Sequence, residues 1–154
     1  MRTMAQILIV AHAPLATSLQ AVAQHVYPDC GARLMAVDVP PGASLDAVEA
    51  QVREALAAPP LAGSEVLILA DVFGATPCNA ALAAADGVRW RVVAGVNVPM
   101  LWRTLCYAEQ SLDDLVNRAV AGATQGVMHV SVPRRQNQPT STVSHDQVIH
   151  HHQQ

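Results

Sequence analysis

The sequence predicts an α/β fold: a doubly wound, mainly parallel sheet with helices on both faces and a C-terminal antiparallel strand. Residues 7–11, 66–70 and 92–94 are apolar runs without polar alternation, the pattern of strands covered on both faces. Each run stops abruptly, at His12, at Asp71 and at Gly95-Val96-Asn97. Segments of helical period separate the runs, so the predicted order is βαβαβαβ, two helices and a last strand.

The first strand is expected over residues 6–11, with Pro14 at the first position of a helix whose apolar stripe is Leu15, Leu19, Val22 and Val26. Tyr27-Pro28 ends it. Residues 34–39 form the second strand, and Pro40-Pro41-Gly42 breaks the chain before Ser44, a helix N-cap. Leu45, Val48, Val52 and Leu56 continue the helical period up to Pro59-Pro60. The third strand is 65–70. A turn over 74–79 then opens an alanine-rich helix, with Thr76 as N-cap and Pro77 behind it, closed by Asp86-Gly87. Residues 91–94 are the fourth strand, and 99–107 and 111–123 are two further helices, the second with Asp113 and Asp114 where negative charge suits the helix dipole.

Residues 127–132 differ from the other strand candidates. Met128, Val130 and Val132 alternate with His129 and Ser131, which predicts one wet face and an antiparallel or edge position. From Pro133 periodicity is lost, so 1–132 is read as one domain and 133–154 as a disordered polar tail.

The totals narrow the function. With 154 residues and 51% hydrophobic content the chain can bury one domain's core, and with 3% aromatic residues that core is aliphatic. The net charge is -3, the basic residues are all Arg, and no basic face is clustered, so nucleic acid is a poor partner. No apolar stretch approaches the roughly 20 residues of a membrane span, and no cleavable leader is recognised, so the chain reads as cytoplasmic. Cys30, Cys78 and Cys106 are odd in number, widely spaced and without a C-x-x-C pair, which predicts three reduced structural thiols and no metal site.

The chemistry is expected where the strands end. In an open parallel sheet those ends face one crevice, so His12 and Asp71 can meet although far apart in sequence. A carboxylate that accepts the Nδ1 proton of His12 would fix its tautomer and leave the Nε2 lone pair free to attack. Helix starts at 14 and 76 offer backbone N–H groups to an arriving anion, and Thr76 adds a hydroxyl. This set suits phosphoryl transfer without metal or cofactor. Asn97 is read as satisfying loop backbone through an Asx-type turn. His25 and His129 are read as structural or surface residues, His150-His151-His152 as part of the tail, and Trp90 and Trp102 as packing beside the sheet.

Three segments resemble the IIA component of the mannose-family phosphoenolpyruvate-dependent sugar phosphotransferase system. They are Ala11-His12-Ala13-Pro14-Leu15-Ala16, Asp71-Val72-Phe73-Gly74-Ala75-Thr76-Pro77-Cys78-Asn79 and Gly95-Val96-Asn97-Val98-Pro99-Met100-Leu101, in order within residues 5–132. The resemblance implies a phosphotransferase that takes phosphate on His12 from the histidine-containing phosphocarrier protein and passes it to a IIB component for sugar uptake. It implies Asp71 as the carboxylate that orients His12, Thr76 as a phosphoryl contact, and a last strand exchanged within a homodimer. Ala13 and Ala75 replace family glycines, which restricts the backbone where phosphate should approach. No IIB pattern follows residue 132, so the acceptor is expected to be a separate chain.

The alternative is a regulatory relative whose phosphorylation on His12 controls a partner protein without sugar transport. A receiver domain fits poorly, because His12 stands where an acidic pair is needed and the chain has no Lys. Nucleotide binding fits no better, since neither glycine-rich phosphate motif occurs.

Overall fold

The computed structural model describes residues 4–107 and 109–135. Four strands form the sheet: β1 (Gln6–His12), β2 (Leu34–Val39), β3 (Val66–Ala70) and β4 (Trp90–Ala94). Their order is β2-β1-β3-β4, and every pairing is parallel. Ile7 through Val10 and all of β3 are buried, which explains why these strands are continuously apolar.

The helices are α1 (Leu15–Val26), α2 (Pro28–Gly31), α3 (Leu45–Ala57), α4 (Thr76–Ala84), α5 (Val98–Leu105) and α6 (Leu112–Gln125). Strand alternation sorts the core into two layers. Ile7, Ile9, Leu67 and Leu69 face α1, α5 and α6, while Leu8, Val10, Val66 and Ile68 face α3 and α4. The chain leaves β1 toward β2 on one side and reaches β3 on the other, so the carboxyl ends of β1 and β3 flank the switch point where crevices form in such sheets.

Local signals placed most elements. Ser44 accepts the Ala47 N–H at 3.2 Å and starts α3, which buries Val48, Val52 and Leu56. Ser111 accepts the Asp114 N–H at 3.2 Å and starts α6. Other expectations are corrected. In α1 the buried residues are Ala16, Leu19 and Ala23, whereas Leu15, Val22 and Val26 are exposed. Small alanines let this helix approach the sheet closely, and the bulkier valines face outward. Pro14 is the N-cap of α1 rather than its first residue, and Thr76 is the first residue of α4, behind the N-cap Ala75.

The thiols are also corrected. Cys30 and Cys106 form a disulfide with their Cα atoms 5.6 Å apart, across a sequence separation of 76, and Cys78 alone is free and buried. Separation in sequence concealed the pairing: α1 and α5 pack on the same sheet face, where Tyr27 meets Trp102 edge-on at 5.2 Å.

Residues 127–135 adopt neither helix nor strand, and Val127, Met128, Val130 and Val132 are exposed. The expected C-terminal antiparallel strand is therefore not formed within the described chain. An isolated strand of this kind has no ladder partner of its own, and among the described residues β4 pairs with β3 alone, which leaves its outer edge open there. Of the tail, 133–135 is irregular and exposed; the disorder expected of 136–154, which includes His150-His151-His152, falls outside the described residues.

Candidate active site at the sheet switch point

The last residue of β1 and the first residue after β3 meet. The His12 backbone N–H donates to Asp71 Oδ2 at 2.9 Å, and His12 Nδ1 lies 2.6 Å from the same oxygen. The other carboxylate oxygen, Oδ1, accepts the Val72 N–H at 2.9 Å. Parallel pairing carries the two strands to this point in register, with Val10 opposite Ala70.

Burial of the Asp71 carboxyl pushes its pKa up. Hydrogen bonds from the His12 backbone and ring and from the Val72 N–H, with the charge of His12 beside it, outweigh burial and hold the carboxyl below its ordinary value. Asp71 is thus ionised at neutral pH. An ionised carboxylate only accepts, so the proton in the short contact sits on Nδ1, and in the neutral ring the lone pair is then on Nε2. The His12 side chain is 53% exposed while Asp71 is 11% exposed, so the buried group orients an open one.

Alternation along β1 puts His12 on the same face as Leu8 and Val10, the face on which α4 packs. The two helix starts expected to attract an anion differ. At α1, Asp38 from the end of β2 takes the Thr17 N–H at 3.1 Å and also the Thr17 hydroxyl. That turn already carries a carboxylate. At α4 no side chain caps the first turn and no acidic residue lies in it. Positive partial charge is therefore less compensated at α4 than at α1. Thr76 opens α4, and among the hydrogen bonds of the described residues none engages its hydroxyl.

Gly74 has φ 86°, a left-handed turn that glycine makes without strain, and it bends the loop from Asp71 into α4. Ala75 has φ −106° and ψ 168°, ordinary extended backbone. The alanine in place of the family glycine at that position therefore costs nothing in backbone strain. Cys78, one turn into α4, is shut from solvent, and burial pushes its thiol up; it acts as a small apolar residue.

Asn97 fulfils the role expected of it. Its Oδ1 accepts the Met100 N–H at 2.9 Å as N-cap of α5, and its Nδ2 donates to the Ala123 carbonyl at 3.3 Å, tying α5 to α6. The Gly95 and Val96 N–H groups both donate to the Ala70 carbonyl, at 2.9 and 3.0 Å, so the end of β4 is fastened beside Asp71. Asp38 is a functional neighbour that the sequence motifs do not mark; its one signal is that it is the sole charge in an otherwise apolar strand, near its carboxyl end.

A cleft of about 740 Å³ lies elsewhere, at the amino ends of β3 and β4, lined among others by Glu65, Arg89, Arg91, Ser111 and Asp113. His12 is not among its lining residues. Among the described residues no group of three or more His, Cys, Asp and Glu is placed to hold a metal ion, and no helix is long and apolar enough to cross a membrane.

Comparison with known proteins identifies the family to which the chain is similar. A family described as "PTS system fructose IIA component" (EIIA-man) matches residues 6–120. The chain is 39% identical over 82 residues to the fructose-specific EIIA component of the phosphotransferase system (PTS) of Bacillus subtilis, covering 49% of this chain and 56% of that protein. It is 43% identical over 65 residues to the mannose-specific EIIAB component of Escherichia coli, covering 40% of this chain and 20% of that one. The matches thus span little more than half of one relative and a fifth of the other. In three dimensions the mannose/sorbose-specific IIA subunit from Enterococcus faecalis superposes with a TM-score of 0.77 at 24% identity, over 86% of this chain and 99% of that one. Phosphotransferase component EIIA from Streptococcus agalactiae gives 0.70 at 22% identity, over 82% and 97%.

Proposed function

We propose that this chain, which belongs to the family of phosphotransferase-system fructose IIA components, carries a phosphoryl group on His12 between two proteins. The observation that carries the reading is the 2.6 Å contact of His12 Nδ1 with the largely buried carboxylate of Asp71, made by a histidine side chain that is itself exposed.

The step follows from that arrangement. The Nε2 lone pair of His12 attacks the phosphorus of a phosphohistidine on the histidine-containing phosphocarrier protein. An N–P bond forms at His12 as the donor's N–P bond breaks, and the donor imidazole leaves with that electron pair. Asp71 keeps the Nδ1 proton in place and stabilises the positive charge that develops on the ring. Thr76 and the start of α4 receive the phosphoryl oxygens. In a second transfer a nucleophile on a separate IIB component attacks the phosphorus, the His12 Nε2–P bond breaks with its electron pair returning to the ring, and the group passes on for sugar uptake, in the cytoplasm. An exposed histidine outside the cleft at the amino ends of β3 and β4 suits a carrier whose donor and acceptor are both proteins, since each must bring a reacting atom to the surface.

The active form is a homodimer in this reading. Among the described residues the segment 127–132 leaves its apolar side exposed and no strand pairs with the outer edge of β4; exchange of the segment between two copies satisfies both.

The test is incubation with the general phosphotransferase proteins and phosphoenolpyruvate, followed by mass mapping of the adduct. The expected result is one acid-labile, alkali-stable phosphoryl group on His12, lost in His12→Ala and passed on when a IIB protein is added. Full phosphorylation of His12→Ala overturns the assignment.

A further inference from the structure

Phe73 is the single phenylalanine of the sequence, and it is 79% exposed. It follows Val72, also exposed, in the short loop that begins at Asp71. This loop is built rather than slack. Asp71 Oδ1 holds the Val72 N–H at 2.9 Å, and Gly74 turns the chain at φ 86° into α4. The backbone is therefore fixed on both sides of an aromatic side chain that finds no place in the core.

The other strand-to-helix connections at this edge show the same pattern. Leu15 after β1, Leu45 after β2 and Val98 after β4 are each the first residue of a helix, and each is exposed. All lie at the carboxyl ends of the strands, where His12 also lies. Solitary exposed apolar residues need no explanation, but a set shared by all four connections around one reactive side chain does.

We infer that Phe73 is the anchor by which a phosphohistidine-bearing donor protein docks over His12, with Val72, Leu15, Leu45 and Val98 as its apolar rim. The inference rests on the phosphocarrier reading above. Transfer between two imidazoles brings the donor's ring to within bonding reach of a phosphorus at His12 Nε2, so the donor's surface necessarily covers the residues beside His12. Phe73 is two residues from Asp71. A preorganised aromatic ring loses only two side-chain rotations on binding and buries a large area, which is why few such residues dominate an interface. The occupant is a folded protein that presents its phosphohistidine amid apolar surface; a small phosphoryl donor has nothing to place against the ring.

Two donors separate docking from chemistry. Phe73→Ala and the parent are compared with the phosphorylated histidine-containing phosphocarrier protein and with phosphoramidate, a small molecule that carries the same N–P bond. With the protein donor, Phe73→Ala is expected to raise KM about tenfold or more with kcat within about a factor of three, and Phe73→Tyr to restore most of the loss. With phosphoramidate, the rate of His12 phosphorylation is expected to equal the parent's. An unchanged KM for the protein donor overturns the anchor, and so does an equal loss with both donors, which would place Phe73 in the chemical step. A parent that takes phosphate on His12 from neither donor overturns the phosphocarrier reading itself.

Discussion

Asp71 Oδ2 holds His12 twice, through the backbone N–H at 2.9 Å and through ring Nδ1 at 2.6 Å. The first bond fixes where β1 ends and the second fixes how the ring is turned. One oxygen thus sets both position and tautomer, and the carboxylate is kept ionised by the same donors that it orients.

Asp71→Asn is therefore expected to slow phosphorylation of His12 by about ten- to a hundredfold with the fold retained. An amide oxygen can still accept both bonds, but it brings no negative charge to the developing imidazolium, and its NH₂ can turn the ring to the wrong tautomer. Single-turnover transfer from the phosphorylated carrier, with circular dichroism as the control for folding, measures it. Equal rates for variant and parent would remove the orienting role.

The pH dependence of stability has a defined sign. Asp71 is held below its ordinary pKa as described. Asp86 is held low chiefly by the Trp90 N–H, with Val88 and Arg89 also donating to its Oδ1. A carboxyl whose folded pKa is depressed binds its proton more tightly when unfolded. Its stabilisation is present above the unfolded value, about 3.9 for Asp, and is lost as pH falls through the lower folded value. Urea unfolding between about pH 5 and pH 2 should then fall less steeply for Asp86→Asn and for Asp71→Asn than for the parent. Parallel curves would show that neither carboxyl is stabilised by folding.

Much of this site was legible in the sequence, for physical reasons that also mark the limit. A buried parallel strand must be continuously apolar, so its carboxyl end announces itself, and His12 and Asp71 could be paired from two such ends. Asn97 and Ser44 could be read because caps act over three residues. What could not be read depends on contacts between elements. Asp38 serves Thr17 from a neighbouring strand, a relation fixed by β1–β2 register. The approach of Cys30 to Cys106 depends on how α2 and α5 sit on one sheet face. The inward side of α1 is hidden from the sequence because alanine counts weakly in any hydrophobic pattern, although its small size lets a helix lie close to a sheet.

Residues 133–154 should be dispensable for folding and for phosphorylation. Their composition offers no apolar face, so ordering them would cost about 1–2 kcal/mol of backbone entropy per residue with little burial in return. A chain ending at Val132 is expected to keep the parent's melting temperature and its rate of His12 phosphorylation. A clear drop in either would show that the segment docks on the domain.

Removing or breaking residues 127–132 should have the opposite outcome. Val127, Met128, Val130 and Val132 are exposed in the single chain, while the outer edge of β4 offers unpaired backbone groups to a fifth strand. If a second copy supplies that strand, each segment buries its apolar side chains and both β4 edges gain a ladder. Val130→Pro removes one N–H from that ladder and adds a ring that central pairing does not tolerate. The variant is expected to weaken dimerisation by about tenfold or more, the worth of one lost ladder bond with local strain, and to lower the melting temperature in step. Sedimentation equilibrium of parent and variant measures the effect. A parent that remains monomeric at micromolar concentration while accepting phosphate normally would defeat the exchange.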